Sequence, residues 1–163
     1  MTTTRTFALW VEPIATELRF TRGEIANAAR LMLPDIWGWL SPLPGWTYKD
    51  LLAHCAIGDW VCQTLLRAAV AGEQIDLRFL DQLNESNQRL VDERKERTPE
   101  ELIAELEAES EKTQALLAQL SEEHDGLKPE GAPMSLGAFL RDFHSHDLGH
   151  LAQLKTATDN VML

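Results

Sequence analysis

His146 and His150 stand four residues apart, a spacing that on an α-helix projects two imidazoles from one face about 6 Å apart, within reach of a single metal ion. Phe139, Phe143, His146, His150 and Ala157 follow one another at steps of four, three, four and seven, so the pair falls on the stripe that faces a core. The alternative reading puts one ring against a backbone carbonyl and the other at the surface. His54 weighs against that alternative, because it shares a stripe with Leu51, Gly58, Val61 and Leu65 on a second helix. Three inward imidazoles from two helices are hard to explain as packing, and His54, His146 and His150 are therefore the candidate metal ligands. Three neutral imidazoles leave at least one coordination position open, the pattern of catalytic zinc, and nickel or ferrous iron would also accept it. An open site of this kind lowers the pKa of a water or thiol and makes a nucleophile near neutral pH.

Neighbouring residues admit two readings each. Asp142 and Asp147 either orient imidazole nitrogens or are solvated helix charges. Gly58 either leaves room beside the metal for a further ligand or allows close helix packing. Trp37, Trp46 and Trp60 either line an apolar cleft or belong to the core. His144 points about 160° away from His146 on a regular helix and is set aside, as is His124, which resembles a charge at a helix C-terminus. A carboxylate-bridged two-metal site is disfavoured, because no Glu stands three residues before any His and such bundles use Glu-x-x-His on two helices. Nucleophilic triads and phosphate-binding glycine loops lack their signatures.

The elements that must position these residues are helices. Leu, Ala, Glu and Gln abound, alternating Val, Ile and Thr runs are missing, and neither repeats nor low-complexity segments occur. A first helix opens near Pro13 and carries Ile14, Leu18, Ile25, Ala28, Ala29 and Met32; it should stop around Pro34, with a short extra turn over residues 36–40 and a loop over 41–46. Thr47 with Asp50 three residues on is a capping box that starts an apolar helix running to about Val70. A more polar stretch over 73–97 contains a helix from about Leu80 to Glu96. Thr98-Pro99-Glu100-Glu101 starts another helix that ends before Gly126. After a Gly and Pro loop from Asp125 to Pro133, Ser135 caps the final helix, which bears the histidine pair. The expected fold is all-α: an antiparallel four-helix bundle with an additional connecting helix, built as one domain over residues 1–163.

A chain of 163 residues with 44% hydrophobic and 25% charged residues can bury a core without disulfides. The net charge of -11, from 26 acidic and 15 basic residues, repels phosphate backbones and anionic lipid headgroups, so nucleic acid and membrane are not expected partners. No stretch reaches the roughly 20 apolar residues that span a bilayer. The Thr-rich start, Met1 to Arg5, is followed by no signal-peptide pattern, which makes the expected location cytoplasmic. Cys55 and Cys62, seven apart in one helix, lie about 10 Å from each other and cannot bridge; both are expected as buried thiols. Apolar residues beyond the needs of one bundle make a homodimer a further expectation.

Two segments resemble a known family. Gly45-Trp46-Thr47-Tyr48-Lys49-Asp50-Leu51-Leu52-Ala53-His54 is similar to the GWTxxDLLxH segment of DinB-like proteins, and His146-Asp147-Leu148-Gly149-His150-Leu151-Ala152-Gln153-Leu154 resembles their HDxxHLxQL helix. The resemblance spans nearly the whole chain and is loose over 73–97. It implies a four-helix bundle, often a homodimer, with one metal held by a His of the second helix and two of the last, which map onto His54, His146 and His150. Some relatives are transferases or isomerases using mycothiol, bacillithiol or glutathione, and the superfamily includes the metal-binding domain of mycothiol-dependent maleylpyruvate isomerase. The expectation by resemblance is a metal-dependent thiol S-transferase or isomerase acting on a small electrophile, with a low-molecular-weight thiol as co-substrate. Hydrolysis of a small molecule by metal-activated water, and non-enzymatic metal or small-molecule binding, are the alternatives.

Overall fold

The computed structural model describes residues 6–74, 77–128 and 132–159. The Thr-rich start and residues 129–131 of the Gly and Pro loop lie outside the described residues. The first helix, α1, covers Val11–Arg30 and begins two residues earlier than the position of Pro13 suggests; proline is still tolerated there because the amides of the first turn have no intrahelical acceptor. Beyond it, Pro34–Gly38 form a 3-10 turn. The loop that follows is pinched by an isolated bridge between Leu40 and Thr47 and turned at Gly45, whose φ of +78° only glycine adopts without strain.

The Thr47 capping box forms as expected: its hydroxyl accepts from the Asp50 amide and the Asp50 carboxylate accepts from the Thr47 amide. This starts α2, Tyr48–Ile57. The single helix expected to run to about Val70 is instead two, α2 and α3 (Asp59–Ala71), joined at Gly58. Gly58 remains right-handed helical (φ -57°, ψ -30°), so α2 and α3 continue one column through the joint. The connecting helix α4 spans Leu83–Asp92, preceded by a 3-10 segment over Leu77–Gln82. Both are shorter than the stretch expected from periodicity, in keeping with a polar segment: among the residues of α4 only Val91 is buried. The Thr98 and Glu101 capping box opens α5, Pro99–Leu117, and α6 covers Leu136–Asp159, where the Ser135 hydroxyl accepts from the Ala138 amide.

These helices form the expected all-α, four-column bundle with one connecting helix, and no strand occurs among the described residues. The α1/α5 and α2/α6 pairs are antiparallel. Long connections place α1 and α6 in the same direction, as their shared partners show: Val11, Ile14 and Leu18 pack in one cluster with Leu136 and Leu140, while Ile25 and Ala29 pack in another with Leu151, Leu154 and Ala157. No helix of the described residues is long and apolar enough to cross a membrane.

Between the two apolar clusters lies a charged layer. Arg22 of α1, 3% exposed, donates through Nε and Nη2 to the two oxygens of Asp147 at 2.8 and 3.1 Å, and through Nη1 to the Cys55 carbonyl at 2.8 Å. Its Nη1 also lies 2.7 Å from Asp59 Oδ2, an ion pair without an aligned hydrogen bond. Thr113 of α5 donates to the other Asp59 oxygen at 2.6 Å, and Gln63 donates to the Thr113 hydroxyl. Burial opposes the charge of Arg22, but Asp59 and then Asp147 hold its pKa above the ordinary value. Burial pushes the Asp59 carboxyl up, against the pull of Arg22 and the Thr113 hydroxyl. Every column of the bundle contributes to this layer, so it sets the rotation of α6 relative to α2 as well as their separation. An apolar contact, being non-directional, would leave the helices freer to turn.

Candidate metal centre

One turn beyond that layer, α2 and α6 face each other through their histidines. His54 descends from the capped start of α2, and His150 and His146 come from successive turns of α6. The ligand atoms these three residues offer all lie within 4.8 Å of one another. His54 Nε2 and His150 Nε2 are 3.1 Å apart. The His150 ring lies 4.7 Å from His54 and 4.3 Å from His146, centroid to centroid, and His54 to His146 is 6.0 Å. All three residues singled out from the sequence therefore meet at one point.

Their surroundings are unequal. His54 and His150 are each 7% exposed, whereas His146 is exposed. The core-facing stripe of α6 is thus correct for His150 but places His146 at the rim, so the cluster opens to solvent on the His146 side. Burial, then the neighbouring His150 and His146, push His54 down to about 3. Burial likewise lowers His150, although its bond to Gln153 works the other way. Both rings are accordingly neutral at physiological pH, the form that offers a lone pair to a cation.

The donor set fits a divalent cation. Two neutral, buried imidazoles direct the same type of nitrogen at each other, a third stands beside them, and no carboxylate belongs to the group. Such an all-nitrogen set suits zinc, nickel or ferrous iron better than calcium or magnesium. His54 Nδ1 is buried with no hydrogen-bond partner among the described residues, while His150 Nδ1 lies 2.8 Å from Gln153 Oε1. Trp46, whose indole donates to Gln88 of α4, tilts against the His54 ring at a centroid distance of 4.9 Å.

The other sequence candidates divide. Asp147 is neither solvated nor bonded to an imidazole; one residue along a helix turns the side chain by about 100°, which aims it at Arg22. Asp142 is exposed. Gly58 does not border the imidazoles with an open space: a Cβ there would meet Arg22 Nη2 and the Cys55 carbonyl at 3.4 Å, at van der Waals contact. Trp37 is half-buried against the core, Trp46 is half-buried beside His54, and Trp60 is exposed on α3. His144 bonds to Thr21 and faces Glu17, away from the cluster. His124 caps its own short turn through Ser121 and sets Nε2 3.2 Å from the Ala69 carbonyl in the last turn of α3. Sequence reasoning missed Gln153 and Arg22. Gln153 stands three residues after His150, a helical neighbour spacing that could have drawn notice; an Arg in an amphipathic first helix carries no such signal.

Residues 18–145 match the family described as the mycothiol maleylpyruvate isomerase N-terminal domain, a span that includes His54 and stops just before His146. Among solved structures, the chain is similar to the mycothiol-dependent maleylpyruvate isomerase, with a TM-score of 0.72, 18% identity, and coverage of 88% of this chain and 60% of that one. It is similar to a histidine-to-alanine mutant of the same enzyme, with a TM-score of 0.73 and the same identity and coverage. At this identity the likeness is one of fold, and the chain spans 60% of the length of the enzyme it matches. No curated protein matches the chain.

Proposed function

Because the chain belongs to the family of the mycothiol maleylpyruvate isomerase N-terminal domain, we propose that it is a metal-dependent enzyme that brings a low-molecular-weight thiol to a small electrophile, as an S-transferase or isomerase. The observation that carries this reading is the convergence of His54, His146 and His150 within 4.8 Å, closed on one side and open on the other. His54 and His150 would hold the cation from the buried side, and His146 from the rim. A divalent cation held there, with zinc the first expectation and nickel or ferrous iron also suited, would supply the Lewis acidity that lowers a thiol's pKa toward neutrality.

The chain's own cysteines do not supply that thiol. Cys55 and Cys62 are fully buried, and burial pushes Cys55 up to about 12 and raises Cys62 as well. Neither forms a thiolate near neutral pH, and thiolate is the reactive form. The thiol must therefore arrive from solvent, and the open side at His146 admits it. Mycothiol, which the structurally similar isomerase uses by name, is the first thiol to try. Trp46 stands beside His54, with ring centroids 4.9 Å apart.

The test begins with untagged protein whose bound metal is quantified, alongside His54→Ala, His146→Ala and His150→Ala. Near-stoichiometric metal in the parent and its loss in all three variants is expected. Thiol conjugation to a small electrophile is then measured with mycothiol, bacillithiol and glutathione. Conjugation that is the same with and without metal refutes the enzymatic reading; metal-dependent turnover that needs no thiol replaces it with hydrolysis.

A further inference from the structure

The two buried imidazoles are not equivalent, and the difference lies in their outer nitrogens. His150 Nδ1 faces Gln153 Oε1 at 2.8 Å, whereas His54 Nδ1 is buried with no partner among the described residues. The inner nitrogens face each other at 3.1 Å. An amide oxygen only accepts, so the proton on His150 sits on Nδ1, and its Nε2 keeps a bare lone pair aimed into the cluster.

We propose that Gln153 is a positioning residue that holds His150 as the Nδ1–H tautomer and so presets its Nε2 as a ligand of the cluster. The proposal rests on the metal-centre reading for its purpose but not for its geometry. Gln153 sits one helical turn from His150, so its reach needs no tertiary contact. Partners that hold the outer nitrogen of a ligand histidine typically change metal affinity by about 10- to 100-fold when removed.

The experiment uses the metal-free full chain at pH 8, with the ring nitrogens of His150 assigned by two-bond proton–nitrogen correlation, in the parent, Gln153→Leu and Gln153→Glu. The parent should show protonated Nδ1 and bare Nε2 on His150. Gln153→Leu should lose that preference, and Gln153→Glu, which keeps an acceptor oxygen, should retain it. Zinc titration of the same proteins should show a Kd about 10- to 100-fold weaker for Gln153→Leu, with recovery in Gln153→Glu, while far-UV circular dichroism stays unchanged. A His150 that keeps its Nδ1–H in Gln153→Leu, or a parent with protonated Nε2, overturns the proposal, as does unchanged zinc affinity in Gln153→Leu. A parent that binds no zinc but shows the Gln153-dependent tautomer overturns the metal-centre reading and leaves the hold of Gln153 on His150 established.

Discussion

Acidification of the metal-free protein should cost stability through His54. The ring is 7% exposed and its pKa falls from 6.5 to about 3 on folding. Above pH 6.5 neither the folded nor the unfolded chain holds the proton, so stability is complete there. As pH drops, the unfolded chain takes up a proton that the folded chain refuses, and stability is lost progressively until about pH 3. At pH 5 the unfolded ring is nearly fully protonated and the folded ring is neutral. With about 1.4 kcal/mol for each pH step below 6.5, the loss relative to pH 7.5 is about 2 kcal/mol. Urea unfolding of chelator-treated protein, followed by circular dichroism at pH 7.5 and 5.0, measures it. The control is His54→Gln, which fills similar space and does not titrate; carboxylates and histidines away from the cluster titrate in both proteins and cancel in the comparison. The parent should lose about 2 kcal/mol more than the variant over this interval. Equal losses would show that the folded protein accommodates the proton on His54, and with that the argument for two buried neutral donors would fall.

The charged layer and its glycine make two further predictions. Arg22→Met strands the Asp59 and Asp147 carboxylates in the interior and should cost about 3–5 kcal/mol in urea unfolding at pH 7.5; Arg22→Lys should recover only part, because an ammonium cannot reproduce the two-pronged contact with Asp147. Gly58→Ala should be tolerated and stabilise by up to about 1 kcal/mol, since the position is already right-handed helical and the new methyl would meet Arg22 at contact distance. Metal content in Gly58→Ala should equal that of the parent, and a loss would reinstate the glycine as space for a further ligand.

Periodicity and capping chemistry were enough to read the number and order of the bundle's columns from the sequence, though not the break at Gly58 or the bounds of α4, since both act within a few residues. Thr47 with Asp50 and Thr98 with Glu101 mark helix starts by satisfying amides that lie beside them in the chain, and the two histidine segments carried the family resemblance. The four-residue step from His146 to His150 is likewise a local fact, visible wherever the segment is helical. What the sequence left open depends on partners far along the chain. Whether Asp147 served an imidazole or solvent was decided by Arg22, 125 residues away; Gly58 lies against the same guanidinium; and the exposure of His146 against the burial of His150 follows from how α6 is rolled against α1 and α2. A helical stripe defines a face only to within a residue or so, whereas the charged layer fixes the roll itself. That is why the tertiary structure alone decides which ring lies deep, which stands at the rim, and which outer nitrogen has an acceptor.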